Sequence, residues 1–311
     1  MNEILMALGG VAGLALLYFG ADWLVRGGSS IAVRARVSPL VIGLTLVAFG
    51  TSAPELFVSA GAALHGLGDI CVGNVVGSNI CNIALILGLT GLVAPIAVNA
   101  ALFRRDMPIM VVASVVVTAW CGLSGGLGRI AGFVFAVAIV AYTCHGIAMS
   151  RKSAGERTEK PSMGLGRAVA LAFAGLVVLV VGAKLILAGA VALEKGLGVP
   201  DEFVALTVVA VGTSLPELAT SVVAARKGEA DIAIGNIVGS NIFNILGILG
   251  ISALIRPVAV AGMDWVDFGM MIATAALLWP LLGARGRLGR TEGAILLAVY
   301  GGYLVWLVRT L

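Results

Sequence analysis

Long apolar segments separated by short polar loops make up most of the chain. A helix needs about 20 mainly apolar residues to cross the hydrocarbon core of a bilayer, and these segments are long enough to do so. The pattern therefore predicts ten membrane-spanning helices, at residues 4–25, 39–65, 69–97, 106–123, 128–149, 166–190, 201–226, 231–256, 264–283 and 290–309.

Two polar motifs interrupt the apolar pattern, and both occur twice. The first is GTSAPE, ending at Glu55, and it returns as GTSLPE, ending at Glu217. The second is GNVVGSNICN, ending at Asn82, and it returns as GNIVGSNIFN, ending at Asn244. In both cases the second copy follows the first by 162 residues. The chain is therefore an internal duplication of a five-helix unit.

An odd number of helices per unit gives the two copies opposite orientations in the membrane, as in many secondary transporters. The sequence thus predicts an all-α integral membrane protein of two inverted five-helix repeats. The expected parts are a first repeat at 1–149 with its motifs at 40–90, a cytoplasmic linker at 150–165, and a second repeat at 166–311 with its motifs at 202–250.

Charge sets the expected orientation. Lysine and arginine concentrate in the loops after predicted helices 1, 3, 5, 7 and 9, and such loops face the cytoplasm. Both termini are then expected outside. The first apolar run lacks a basic leader and a cleavage site, so we interpret it as a retained span.

Composition supports the membrane assignment. Of the 311 residues, 60% are hydrophobic and only 12% are charged, against about 25% charged in soluble domains. The basic pI of about 9.0 comes from the loops and does not indicate nucleic acid binding. Nothing in the sequence indicates a cofactor or an obligate protein partner, so the bilayer is the expected environment.

The first motif places candidate cation ligands inside predicted helix 2. Pro54 cannot continue the helix, so we expect a break that frees carbonyls near Ala48. Thr51 and Ser52 add hydroxyls, and Glu55 adds a carboxylate whose cost in hydrocarbon calls for a function. Hard cations prefer oxygen ligands of this mixed kind. Predicted helix 7 repeats the set with Ala210, Thr213, Ser214, Pro216 and Glu217.

A structural interpretation of the same residues is also open. Ser52 and Glu55 match a helix capping box with proline early in the helix, and so do Ser214 and Glu217. Capping and ion binding can coexist.

The second motif supplies further candidates. Its glycines allow close approach to the broken helices and would bring Ser78 and Asn82, and in the other repeat Ser240 and Asn244, beside the glutamates. The two aspartates that precede the motif are expected to be helix N-caps. Ion binding and hydrogen bonding between helices are both open roles for the remaining asparagines, and hydrogen bonding is favoured; they are Asn74, Asn79, Asn236 and Asn241.

The paired motifs resemble the α-repeats of the calcium/cation antiporter superfamily, and most closely those of prokaryotic sodium/calcium exchangers. The resemblance implies an antiporter of a prokaryotic inner membrane that exchanges Na⁺ for Ca²⁺ by alternating access, with predicted helices 1 and 6 sliding across a core that holds the ions. It implies that Ca²⁺ lies between Glu55 and Glu217, with backbone oxygens of Thr51 and Thr213. Na⁺ would then bind at Ala48, Ser52, Ser78, Ala210, Ser214 and Ser240, with Asn82 and Asn244 completing the centre.

Some relatives carry aspartate at the positions of Asn82 or Asn244. Because both are asparagine in this chain, the centre has only two carboxylates, those of the two glutamates. These neutralise one Ca²⁺ or two Na⁺. A Ca²⁺/H⁺ antiporter, in which protonation of the two glutamates replaces Na⁺ binding, is the alternative, although the motif hydroxyls favour Na⁺. A cation channel is less consistent with the inverted duplication. An enzyme is disfavoured because the sequence has no HExxH motif and no evident serine–histidine arrangement.

Overall fold

The computed structural model describes residues 3–153, 162–197, 210–283 and 286–310, and these are mostly helical. The helices are α1 (Glu3–Ala35), α2 (Pro39–Thr51), α3 (Ala53–His65), α4 (Gly68–Val93), α5 (Leu102–Ser124), α6 (Arg129–Ser153), α7 (Leu165–Leu197), α8 (Ala210–Thr213), α9 (Leu215–Arg226), α10 (Ala230–Ile255), α11 (Trp265–Gly283) and α12 (Arg290–Thr310).

Seven of the described helices are long and apolar enough to cross a membrane, and the bent pair α2–α3 makes an eighth. The seven are α4, α5, α6, α7, α10, α11 and α12. Helix α1 covers the predicted first span and continues to Ala35. The predicted span at 201–226 falls partly outside the described residues.

Two helix breaks lie where the prolines predict them. Helices α2 and α3 meet at an angle of 51°, with Ser52 between them at φ −79°, ψ 10°. Ser214 joins α8 to α9 in nearly the same conformation, φ −89°, ψ 6°. Pro54 and Pro216 lie in the first turn of the helix that follows each break, the position where a missing N–H costs least.

Four two-residue strands correct the all-α prediction. They are β1 (Ile96–Ala97), β2 (Gly126–Leu127), β3 (Val258–Ala259) and β4 (Arg287–Leu288). Strand β1 pairs antiparallel with β4, and β2 with β3, so each pair joins one half of the chain to the other. Gly126, at φ +150°, allows this approach, because a Cβ there would lie 2.2 Å from the Val258 carbonyl oxygen.

The most buried spans are α4 and α10, which carry the second motif. Both contain a π-helical segment, at Cys81–Leu87 and Phe243–Ile248. Such segments are rare and often mark functional sites. Here they contain Asn82 and Asn244.

Helix α10 approaches α2 closely, as its glycines predict. A Cβ on Gly239 would lie 2.6 Å from the Cα of Leu44, and one on Gly235 would lie 2.9 Å from the Leu40 carbonyl oxygen. For the equivalent glycines of α4, the matching segment at 202–206 lies outside the described residues.

Helices α1 and α7 form an antiparallel pair with almost no space between their backbones. A Cβ on Gly13, Gly20 or Gly27 would lie 2.7–2.9 Å from the carbonyl oxygen of Gly182, Gly175 or Ala168, respectively. The contacts recur every seven residues, so small residues form a continuous seam between the two helices.

This seam predicts the effect of added volume. Gly20→Val overpacks it and should lower the free energy of unfolding by about 1–3 kcal/mol. Thermal unfolding of the purified protein in detergent measures the change. Gly10→Val is the matched control on the same helix, because a Cβ at Gly10 meets no described atom within 4 Å. Equal destabilisation by both variants would contradict the assignment of the seam.

Candidate ion-binding site

Two glutamates lie at the helix breaks, buried inside the protein. Glu55 is in the first turn of α3 and is 1% exposed, and Glu217 is in the first turn of α9 and is 0% exposed. The positive end of a helix dipole favours a carboxylate at this position. The two carboxylates also lie close enough for their negative charges to repel each other.

A serine from the opposite half contacts each glutamate. Ser52 Oγ donates a hydrogen bond to Glu217 Oε1 over 2.9 Å, and Ser214 Oγ donates one to Glu55 Oε1 over 3.1 Å. The capping-box interpretation of these serines is therefore wrong. Both hold the N-cap position, but neither makes a side-chain capping bond to the described helix that follows. The hydroxyls instead join the two halves at the carboxylates.

Several buried oxygens of the predicted site have no hydrogen-bond partner among the described residues. They are Glu55 Oε2, Glu217 Oε2, Asn82 Oδ1, Asn244 Oδ1 and Ser78 Oγ. Buried polar atoms almost always have partners, so each exception needs an explanation. Four of these atoms can only accept, and they belong to matched residues of the two halves. They provide the kind of oxygen ligands that Ca²⁺ and Na⁺ require.

Ser240, the counterpart of Ser78 in the second repeat, does have a hydrogen-bond partner. Ser240 Oγ donates to the Ala48 carbonyl oxygen over 3.4 Å and also lies near the Glu217 carboxylate. The Ala48 carbonyl is not freed by the break as predicted, since it also accepts from the Ser52 amide over 3.0 Å. The break opens later in the chain, where Pro54 lacks its N–H.

The two threonines of the motif are buried beside the carboxylates. Thr51 Oγ1 donates to Asn236 Oδ1 over 3.1 Å, and the Thr213 hydroxyl lies near Glu55. Ala210 is the first described residue after the gap at 198–209 and begins α8.

Asn74 and Asn236 hold the backbone of the glutamates, which agrees with the structural role expected for them. Asn74 Nδ2 donates to the Glu55 carbonyl oxygen over 3.2 Å and to Ser59 Oγ over 2.8 Å. Asn236 makes the matching bonds to the carbonyl of Glu217 and to Ser221. Sequence reasoning missed the two serines. Each follows its glutamate by four residues, one helical turn, and that spacing was the available signal.

The two aspartates expected to be N-caps have another role. Asp69 accepts hydrogen bonds from the amides of Ala261 and Gly262, at 3.0 and 3.1 Å, in the loop after β3. Asp231 accepts one from Asn99 Nδ2, in the loop after β1. Each carboxylate therefore ties a loop of the opposite half to the start of α4 or α10.

Within the described residues, no group of three or more histidine, cysteine, aspartate or glutamate side chains could hold a metal ion. The candidate site contains two carboxylates, Glu55 and Glu217, and its other unpartnered oxygens belong to neutral groups.

The cross-half serine bonds predict that a serine-to-aspartate substitution is destabilising at Ser52 and tolerated at Ser38. Ser52→Asp places a further carboxylate beside the buried Glu217, and burying such a charge costs several kcal/mol. We expect a clearly lower unfolding temperature in the presence of a chelator. Ser38→Asp is the control, because Ser38 Oγ caps α2 at the Val41 amide and aspartate caps equally well. If both variants were tolerated equally, Ser52 would be only a cap.

Comparison with known proteins places this geometry in one family. The model for "Sodium/calcium exchanger protein" matches residues 5–147 and again residues 167–309. The "Putative antiporter CaxA" of Alkalimonas amylolytica is 42% identical, over 94% of this chain and 95% of that protein. The "Sodium/calcium exchanger MaX1" of Methanosarcina acetivorans is 33% identical, over 94% of this chain and 95% of that protein.

A solved structure agrees over nearly the whole length. The sodium-calcium exchanger NCX_Mj, soaked with zero Na⁺ and Ca²⁺, superimposes with a TM-score of 0.85 at 32% identity. The match covers 98% of this chain and 100% of that one. The chain therefore belongs to the sodium/calcium exchanger family.

Proposed function

We propose that this protein is a secondary active antiporter that exchanges Na⁺ for Ca²⁺ across a membrane by alternating access. The observation that carries the proposal is the pair of buried glutamates, each satisfied at one oxygen by a serine of the other half and bare at the second oxygen. Members of the family are exchangers and not enzymes, and the family implies no cofactor.

The proposed architecture is the predicted one: ten spans as two inverted repeats, 1–149 and 166–311, joined by the linker at 150–165. The reciprocity of the contacts supports it, because bonds at the centre and between the strands recur in pairs related by exchange of the two halves. The basic loops support a cytoplasmic linker and outside termini in a prokaryotic inner membrane.

At the site, we propose that Ca²⁺ binds between Glu55 and Glu217 and takes backbone oxygens of Thr51 and Thr213. The proposed Na⁺ ligands are Ala48, Ser52, Ser78, Ala210, Ser214 and Ser240, with Asn82 and Asn244 facing the centre. Na⁺ bound at the serines would compete for the same carboxylate oxygens. A serine hydroxyl that donates to a glutamate can still bind the ion through its oxygen, because a hydroxyl both donates and accepts.

Exchange follows from charge. One Ca²⁺ or two Na⁺ neutralise the two carboxylates, whereas an ion-free centre leaves two like charges buried together. Burying two unpaired charges makes it costly for the protein to pass through the state in which the site is closed to both sides of the membrane. The protein would therefore change its facing side only when loaded, and this requirement couples the two ions.

Uptake of ⁴⁵Ca²⁺ into proteoliposomes tests the proposal. With Na⁺ inside, we expect uptake that disappears without the Na⁺ gradient and in both Glu55→Gln and Glu217→Gln, because each variant removes one of the two charges that bind Ca²⁺. Ser124→Ala is the matched control, since Ser124 is exposed at the end of α5.

A parallel set of vesicles with an imposed H⁺ gradient and no Na⁺ separates the alternative. Uptake driven by H⁺ alone would contradict Na⁺ exchange and indicate Ca²⁺/H⁺ antiport. Uptake that continues without any countergradient would indicate a channel.

A further inference from the structure

We propose that Asn79 and Asn241 are positioning residues that set which atom of Asn82 and Asn244 faces the ion. The inference rests on the proposed function, in which these two side chains face the bound ion. A carboxamide has two chemically opposite ends, a donating NH₂ group and an accepting oxygen. Only the oxygen can bind a cation, so something must fix the orientation of each amide.

Each of these amides is held by an asparagine of the opposite half. Asn82 Nδ2 donates to Asn241 Oδ1 over 3.2 Å, and Asn244 Nδ2 donates to Asn79 Oδ1 over 3.1 Å. With the NH₂ group bonded, the Oδ1 of Asn82 and of Asn244 must point the other way. Both are among the buried oxygens that have no partner in the described residues.

The two holding residues are themselves fixed by acceptors. Asn241 Nδ2 lies 3.5 Å from Met110 Sδ, and Asn79 Nδ2 lies 3.8 Å from Met271 Sδ and 3.3 Å from the Asn241 carbonyl oxygen. A thioether or a carbonyl can only accept, so the NH₂ end must face it. Asn79 and Asn241 are 1% and 0% exposed, so the protein groups around them set their orientation. The orientation is thus transmitted from a methionine through two amides to the ion.

A double substitution distinguishes positioning from packing. Asn79→Leu keeps the branched shape of the side chain but removes the acceptor, so the Asn244 amide can turn its NH₂ group toward the ion. We expect the Ca²⁺ concentration for half-maximal uptake to rise about tenfold, the loss of one buried hydrogen bond. In an Asn244→Asp background the same substitution should change it less than about twofold, because a carboxylate presents an oxygen in either orientation.

A mismatched pair is the control. Asn82→Asp changes the amide that Asn241 holds and not the one that Asn79 holds, so it should not reduce the effect of Asn79→Leu on Ca²⁺ dependence. Protection in both backgrounds, or in neither, would overturn the proposal. Absence of Na⁺-driven uptake in the unmodified protein would instead overturn the proposed function.

A milder variant covers the case in which Asn79→Leu does not fold. Met110→Leu conserves volume and removes the acceptor that orients Asn241. We expect weaker Ca²⁺ binding that Asn82→Asp rescues and Asn244→Asp does not. Unchanged Ca²⁺ dependence in Met110→Leu, with Asn79→Leu unfolded, would count against positioning.

A second inference concerns the end of α1 where Arg34 Nε donates to the Met163 carbonyl oxygen over 2.8 Å. It too rests on alternating access. Asp22 pairs with Arg26 on its own helix and with Lys227 in the turn between α9 and α10. Ser29 Oγ donates to Glu229 Oε1 of the same turn over 3.0 Å. Helix α1 also packs along α9. We infer that these contacts form a latch that closes this end of the molecule.

The internal duplication does not repeat these latch residues in the other half of the chain. The residues 162 positions away from the latch residues are Lys184, Ala188, Val191, His65 and Leu67. The counterpart of Asp22 is a lysine and the counterpart of Lys227 is a histidine, so these five positions hold no pair of opposite charges. Helix α7 makes at most marginal contact with α3 in the described parts of the two helices. The latch therefore favours the state that is closed near Met163 and open at the opposite face.

Side-specific transport tests the latch. In vesicles of known orientation, Asp22→Asn should weaken apparent Ca²⁺ affinity at the face opposite Met163 and strengthen it at the Met163 face. Apparent affinity scales with the population of the state open to each side, so the two changes have opposite signs. Lys227→Met should act in the same direction, and the double variant should shift no further than the larger single one.

General damage to the protein would weaken both affinities together. Changes of the same sign at the two faces, or no change at either face, would therefore overturn the latch.

Discussion

The structure depends on two carboxylates that are buried together and only half satisfied. Each accepts a hydroxyl from the opposite half of the chain, and each keeps a bare oxygen. Two like charges in a dry interior are unstable alone, so the arrangement calls for a cation. The same serine bonds make the site dependent on both halves at once. An ion bound between the two carboxylates would therefore contact both halves.

The surrounding architecture serves to place these groups. Helix breaks at Ser52 and Ser214 bring helix N-termini to the carboxylates, and π-helical segments carry the opposing asparagines. Glycines let α10 lie directly on α2. Loops and short strands then exchange contacts between the halves, so the centre is held from both ends. The tight α1–α7 pair lies against this core and makes polar contacts with it at one end only among the described residues.

The two halves and the helix breaks can be predicted from the sequence. The duplication is visible by direct comparison of the two motif copies, and a proline beside a glutamate in an apolar run is a local signal. The direction of the serine hydroxyls does not, since a capping serine and a cross-half serine have the same local pattern. The N-cap prediction for Asp69 is likewise wrong, because its partners lie in a loop far along the chain. Two-residue strands are too short to show alternation. Ser59 and Ser221 bind asparagines that only the packing of α3 on α4 and α9 on α10 brings close.

The most direct test of a single shared site is anomalous diffraction from crystals soaked in Ca²⁺. We expect one strong peak bounded by Glu55 and Glu217, which disappears when Na⁺ replaces Ca²⁺ in the soak. Two separate peaks, one at each glutamate, or a peak away from both, would contradict the central claim that the two halves share one cation site.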